Sequence, residues 1–258
     1  MDKNYVQQYG QLENNHWWFI IRRKIILQTL RNYVPAAKPG MLSILNVGAA
    51  AGGSSKWLME LGKVVSLEND PLFLSYLSTQ NLSVIDASVT DIPFDDNHFD
   101  LVCAFDVIEH VTDDQKAFAE LVRVCRPGGH ICITVPAFQL LWGTHDKING
   151  HTRRYIQRQL KDLTRFTDTT ILYSSYFNAL LFFPVFLFRK TQLIFGNKDQ
   201  QNEADFAYFK SNTIVNSILK TVFGIELFLL KLFRFPVGVS LIIVIRKNNV
   251  SVNRPKQK

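Results

Sequence analysis

From residue 41 onward, short apolar runs alternate with amphipathic stretches. MLSILNVG (41–48) is an apolar run ending in small residues, and GSSKWLMELG (53–62) follows as a helix whose start is marked by serines. VVSLEND (64–70) reads as a second strand, PLFLSYLSTQ (71–80) as a helix and LSVIDAS (82–88) as a third strand. FDLVCAFDVIEHV (99–111) is a strand running into a turn, DDQKAFAELVRVC (113–125) an amphipathic helix and GGHICITVPA (128–137) a fifth strand. Strands alternating with helices of about ten residues predict an α/β fold built on a doubly wound, mostly parallel sheet. The right-handed crossover rule then puts a ligand crevice at the C-terminal ends of the first strands.

The flanks have different patterns. Residues 16–34 place apolar side chains at helical intervals with cations between them, and Pro35, Pro39 and Gly40 end that helix, giving an N-terminal helical cap over 1–40. A core over 41–172 includes a polar, His- and Arg-rich connection at 140–162 that leads into another helix. The segment 173–236 is read as an apolar helical insertion before the last strand, with FNALLFFPVFLF (177–188) and IVNSILKTVFGIELFLLKLF (214–233) separated by a polar stretch near 196–205. The first is too short to span a bilayer and holds Pro184, and the second carries Lys220, Glu226 and Lys231. Two readings stand: helices packed on the core, or a substrate lid or membrane-surface hairpin flanked by Arg189, Lys190, Lys231 and Arg234. VGVSLIIVIR (237–246) is the final strand, and the chain beyond it to 258 a frayed tail.

The length suits one cofactor-binding domain with additions. Charge is uneven: residues 1–150 hold 12 Lys and Arg against 16 Asp and Glu, whereas 151–258 hold 17 against 6. A basic C-terminal part suits a solvated face, an acidic substrate, nucleic acid or an anionic membrane surface. Cys103, Cys125 and Cys132 lie in apolar stretches without metal or redox spacing, and residues 1–18 lack the apolar centre of a signal peptide. Reduced core cysteines and a cytoplasmic location, peripheral on the inner membrane face at most, are expected; nothing specifies an oligomeric state.

Gly48 and Gly52 end the first strand in a tight turn, where missing side chains let backbone approach a ligand and the next helix begin. Glu68 stands twenty residues after Gly48, at the end of the second strand, where a carboxylate can accept from ribose hydroxyls. These features favour a nucleoside-containing cofactor, and by themselves they also fit a NAD-dependent oxidoreductase. Four further features are Asp86-Ala87 after the third strand, IPFDDNHFD before the fourth, DVIEH after it and RPGG before the fifth. With them the region 42–136 resembles the class I S-adenosylmethionine-dependent methyltransferases, in particular the broad family related to ubiquinone and menaquinone biosynthesis methyltransferases.

The resemblance implies a Rossmann-like methyltransferase fold with S-adenosylmethionine as cofactor, seated on the glycine-rich turn of Gly48, Ala49 and Gly52. It further implies Glu68, with the adjacent Asn69, at the ribose, Asp86 and Ala87 at adenine, and Phe105 and Asp106 beside the methionine end. Asn46 stands where an acid is usual and Ala50 where glycine is usual; Asn46 can hydrogen-bond the cofactor's ammonium but supplies no charge. ENNHWWFIIRR and VPAFQLLWGTHDKINGHTRRY resemble a bacterial subfamily associated with glycolipid or polyprenyl-linked acceptors. Trp17 and Trp18 are read either as a buried helix face or as a lid over the cofactor, with Arg22 pairing its carboxylate.

Methyl transfer is an in-line displacement, so a base is useful only where the acceptor must lose a proton. The candidates are His110, His145, His151 and Tyr155, with Arg153 and Arg154 as binders of a phosphate or carboxylate on the substrate. His145 and His151 beside Asp146 raise the question of a metal, but the sequence offers no third ligand and none is predicted. The expected activity is a methyltransferase, O-directed, on a small-molecule or lipid-linked, apolar acceptor. The competing readings are the oxidoreductase and a non-catalytic, membrane-associated S-adenosylmethionine-binding protein. Nucleic acid is disfavoured as a substrate because Asp106-Val107-Ile108-Glu109 follows the fourth strand in place of an Asn-Pro-Pro-Tyr type tetrapeptide.

Overall fold

The computed structural model describes residues 3–35, 40–195 and 213–249. Pro39, the polar stretch near 196–205 and the tail beyond Asn249 lie outside them. The centre is a seven-stranded sheet of β1 (Leu42–Val47), β2 (Gly62–Glu68), β3 (Val84–Asp86), β4 (Phe99–Phe105), β5 (Cys125–Pro136), β6 (Thr169–Phe177) and β7 (Ser240–Lys247). The order is β3-β2-β1-β4-β5-β7-β6, and only β7 runs antiparallel to its neighbours. The mostly parallel, doubly wound sheet expected from the alternating pattern is present.

Central strands are buried on both faces, which is why β1 and β4 read as near-continuous apolar runs and not as alternating ones. One face carries a core with Phe118 and Leu121 of α5 (Asp114–Val124) and Leu160 of α7 (Gln157–Leu163). The other carries Ile25 and Leu30 of α2 (Trp17–Tyr33), Leu58 of α3 (Gly53–Leu58) and Phe223 of α9 (Thr213–Leu229). Between β2 and β3 lies α4 (Pro71–Leu77), started by Asp70, whose side chain accepts from the N–H groups of Leu72 and Phe73, with Pro71 in the first turn. Two further helices complete the connections: the short α6 (Thr144–Ile148) and the longer α8 (Phe182–Phe195).

Two elements depart from the pattern-based expectation. Lys3–Asn15 forms a further helix, α1, whose small apolar contribution from Val6 and Tyr9 packs on Ala51 and Phe73; the segment is otherwise mostly polar, without the apolar run that marks the other elements. β6 straddles the boundary placed at 172, and the helix expected from Phe177 begins at Phe182, because Phe177 still pairs with Ser240. Asn178 then turns the chain with φ +57°, and Glu226 of α9 accepts from the N–H groups of Ala179 and Leu180. The apolar run thus continues through a strand, a turn and a helix. All three cysteines are buried and free. Among the described residues, no helix is long and apolar enough to cross a membrane.

Candidate active site

The strand order reverses between β1 and β4, and the crevice at such a reversal lies beyond the C-terminal strand ends. A cavity of about 470 Å³ opens there. One end is lined by Gly48, Ala50, Glu68, Asn69, Asp70, Ala87 and Ser88, and its middle by Arg22, Phe105 and Asp106. The other end is lined by Glu109, His110, His145, His151, Arg154 and Arg189, with Trp17, Trp18, Val185 and Val239 as apolar walls.

The turn after β1 needs unusual backbone. Gly48 has φ +69°, and a Cβ there would stand 2.5 Å from Val107 Cγ2, while Ala50 has φ +46° although it carries a side chain. The Ala50 N–H donates to Glu68 Oε2 at 2.8 Å, and the N–H groups of Asn69 and Asp70 donate to Oε1 at 2.9 and 3.0 Å. A carboxylate accepts about four hydrogen bonds, so these three fix Glu68 and leave room for a ribose hydroxyl. Asp106, also at positive φ, pairs with Arg22 Nη2 at 2.7 Å, and both meet Thr134 Oγ1. Arg22 Nε is buried without a hydrogen-bond partner. An amino acid moiety fits this pair, its carboxylate on the guanidinium and its ammonium on Asp106.

At the far end Asp146 is fully buried and organises its surroundings. Its Oδ1 accepts from Arg154 Nε and lies 2.8 Å from His151 Nδ1, its Oδ2 accepts from Gly143 N–H, and Arg189 stands 3.6 Å away. Burial works to raise its pKa, but the bond to His151 and the guanidinium charges outweigh it and hold Asp146 well below the usual carboxylate range. Thr152 donates through both its N–H and its hydroxyl to the carbonyl of Glu109, which binds the loop carrying His151 against the turn after β4. Glu109 is completely buried, neither of its carboxyl oxygens has a hydrogen-bond partner in another residue, and burial followed by the charge of Asp106 drives its pKa well up. Burial, then the neighbouring His151, lowers the pKa of His110.

Of the residues predicted for the cofactor, Gly48, Glu68, Asn69, Ala87, Phe105, Asp106 and Arg22 line the cavity. Ala49 and Gly52 shape the turn from behind, through Ala49 N–H to Leu67 O and Gly52 N–H to Ala49 O. Asp86 is exposed and outside the lining, and Asn46 is buried with its amide donating to Ser54 and Ser55 of α3, away from the cavity. His110, His145, His151 and Arg154 converge on one end. Arg153 and Tyr155 do not join them: both bind Asp114 at the head of α5, and Arg153 also donates to the carbonyls of Val111 and Thr112. Trp17 and Trp18 are both core and cavity wall, with the rings of Trp18, Phe177 and Phe223 packed near-parallel in a mutual cluster. Sequence reasoning missed Glu109, Arg189 and His16 as parts of this surface; Glu109 was legible only as an acid beside a histidine, whereas Asp146 was already a candidate beside His145.

Fold and site together define the Rossmann-like class that binds a nucleoside-containing cofactor beyond β1, β2 and β4. Residues 45–133 match a family model described as a methyltransferase domain, so the chain carries a domain of the class I S-adenosylmethionine-dependent methyltransferases. Among similar curated proteins is a ubiquinone/menaquinone biosynthesis C-methyltransferase of Shewanella frigidimarina, 28% identical over 128 residues that cover 44% of this chain and 51% of that one. A chloroplastic tocopherol O-methyltransferase of Arabidopsis thaliana is 34% identical over 100 residues, 35% of this chain and 29% of its own length. The chain therefore spans about half or less of these relatives. The crystal structure of a putative sarcosine dimethylglycine methyltransferase from Galdieria sulphuraria matches with TM-score 0.57 at 17% identity, over 89% of this chain and 86% of that one. The domain match favours the methyltransferase over the dinucleotide-enzyme reading. The names of the two curated relatives state transfer to carbon in one case and to oxygen in the other.

Proposed function

We propose that the protein transfers the methyl group of S-adenosylmethionine to a hydroxyl oxygen of an apolar, lipid-linked acceptor. The observation that carries this reading is a single cavity joining the Gly48–Glu68–Ala87 end to the histidine end past Phe105 and Asp106. The cofactor's ribose meets Glu68, its amino acid end meets Arg22 and Asp106, and the sulfonium then faces the histidines. The acceptor oxygen attacks the methyl carbon in line, the C–S electron pair passes to sulfur, and the hydroxyl proton leaves at the histidine end. A cluster that accepts a proton is of most use to an acceptor that must lose one, which supports oxygen as the target.

Trp17, Trp18, Phe105, Val185 and Val239 along the walls suit an apolar acceptor. Phe183 and Leu187 on α8, and Ile218, Ile225 and Phe228 on α9, are exposed near Lys220, Lys231 and Arg234, a composition suited to an anionic membrane surface. The test is incubation of the full chain with methyl-labelled S-adenosylmethionine and cell extract, followed by mass spectrometry. A labelled ether or ester product from a lipid fraction is expected. A product labelled on nitrogen or carbon overturns the acceptor, and no calorimetric binding of S-adenosylhomocysteine at millimolar concentration overturns the whole reading.

A further inference from the structure

We propose that Glu109, His110 and His151 bind a divalent cation, and that this ion holds and activates the acceptor oxygen. The second half of the proposal rests on the methyl-transfer reading; the ion site itself does not. One ligand atom from each of the three residues lies within 4.8 Å of the others. Around a zinc-like ion with bonds of about 2.0–2.2 Å, ligand atoms lie roughly 3.3 Å apart, so side-chain shifts of about 1 Å close the site.

Three independent features point to an ion. Glu109 is fully buried and its carboxyl receives no hydrogen bond from another residue, although an unmatched buried carboxyl is costly and such groups are ordinarily paired or metal-bound. His151 is held by Asp146 through Nδ1, which leaves Nε2 for the cluster. His110 faces the backbone of Gly150, which acts on its ring electrostatically. A histidine whose second nitrogen is fixed by a carboxylate or a backbone carbonyl is the usual arrangement for a metal ligand, because the partner sets both tautomer and ring direction.

The charges nearby are already committed. Arg154 and Arg189 are engaged with Asp146, Arg154 through the same Oδ1 that holds His151, and Arg22 is paired with Asp106. Sequence spacing raised His145 and His151 with no third ligand; the fold instead brings Glu109 and His110, both from the turn after β4, to His151. Two nitrogens and one carboxylate oxygen leave a coordination position open, a donor set suited to zinc or a similar transition ion. An acceptor hydroxyl bound there loses its proton to water, its oxygen lone pair forms the bond to the methyl carbon, and the breaking C–S bond leaves its electron pair on sulfur, giving a neutral thioether.

The full chain, stripped with a chelator, is titrated with Co²⁺ while visible absorption is followed, with S-adenosylhomocysteine binding measured in parallel. Saturation at one equivalent with ligand-field bands, displaced by Zn²⁺, is expected. Glu109→Gln and His151→Ala should each weaken Co²⁺ binding at least about tenfold while still binding S-adenosylhomocysteine, which reports a folded cofactor end. Wild-type protein that binds S-adenosylhomocysteine but shows no Co²⁺ saturation overturns the proposal and leaves a proton-transfer cluster only. Unchanged Co²⁺ affinity in both variants overturns the assigned ligands. Loss of S-adenosylhomocysteine binding with Co²⁺ binding intact counts against the methyltransferase reading and not against the ion site.

Discussion

Replacing Gly48 by alanine should disable the turn on which the cofactor end is built, for two separable reasons. At φ +69° an L-residue is strained, by about 1–2 kcal/mol. The new Cβ would also stand 2.5 Å from Val107 Cγ2, well inside the roughly 3.5–4.0 Å of an ordinary carbon contact. Overpacking of this kind costs about 1–3 kcal/mol, so Gly48→Ala alone should lose about 2–5 kcal/mol. Val107→Ala removes the clashing methyl, and the double variant should recover the overpacking and keep the backbone strain. A double-mutant cycle by urea unfolding should therefore give a coupling of about 1–3 kcal/mol, with S-adenosylhomocysteine affinity following the same order. Additive effects within about 0.5 kcal/mol would refute the reasoning, since they would mean that Val107 does not wall the turn.

Two further outcomes are expected. Burial lifts the Glu226 carboxyl to about 7, so the folded state holds a proton that the unfolded chain has lost; this group adds stability below the unfolded carboxylate pKa and the gain disappears as pH rises through about 7. The melting temperature of wild type relative to Glu226→Gln should rise as pH falls from 7.5 to 5, by an amount equivalent to about 3 kcal/mol at most; a difference independent of pH would contradict this. The exposed apolar and basic surface of α8 and α9 predicts salt-sensitive sedimentation with anionic vesicles, abolished in Leu187→Asp/Phe228→Asp, whereas equal sedimentation of wild type and variant would remove the membrane surface from the proposed function.

Where one face or both faces of an element are buried by its own neighbours in sequence, the pattern was enough. The runs around Ile44, Val102 and Ile131 declared central parallel strands because both faces are covered, and Asp70-Pro71 declared a helix start because capping is local. α1 and β6 were not legible: α1 is held chiefly by Val6 and Tyr9 against distant residues, and the run from Phe177 passes through three conformations without a change in hydrophobicity.

The sequence by itself determined the alternating α/β plan, the turn at Gly48 and Gly52, and the acid at Glu68, because each is a short-range requirement of backbone geometry or of a strand end. Only the tertiary structure decided that Asn46 faces the serines of α3, that Arg153 and Tyr155 hold the head of α5, and that Glu109 meets His151 from a loop more than forty residues away. The direction of a side chain in a loop depends on which distant groups satisfy it. For the acceptor end those groups are Asp146, Thr152 and Arg154 on the crossover between β5 and β6, joined by the buried Arg189 of α8.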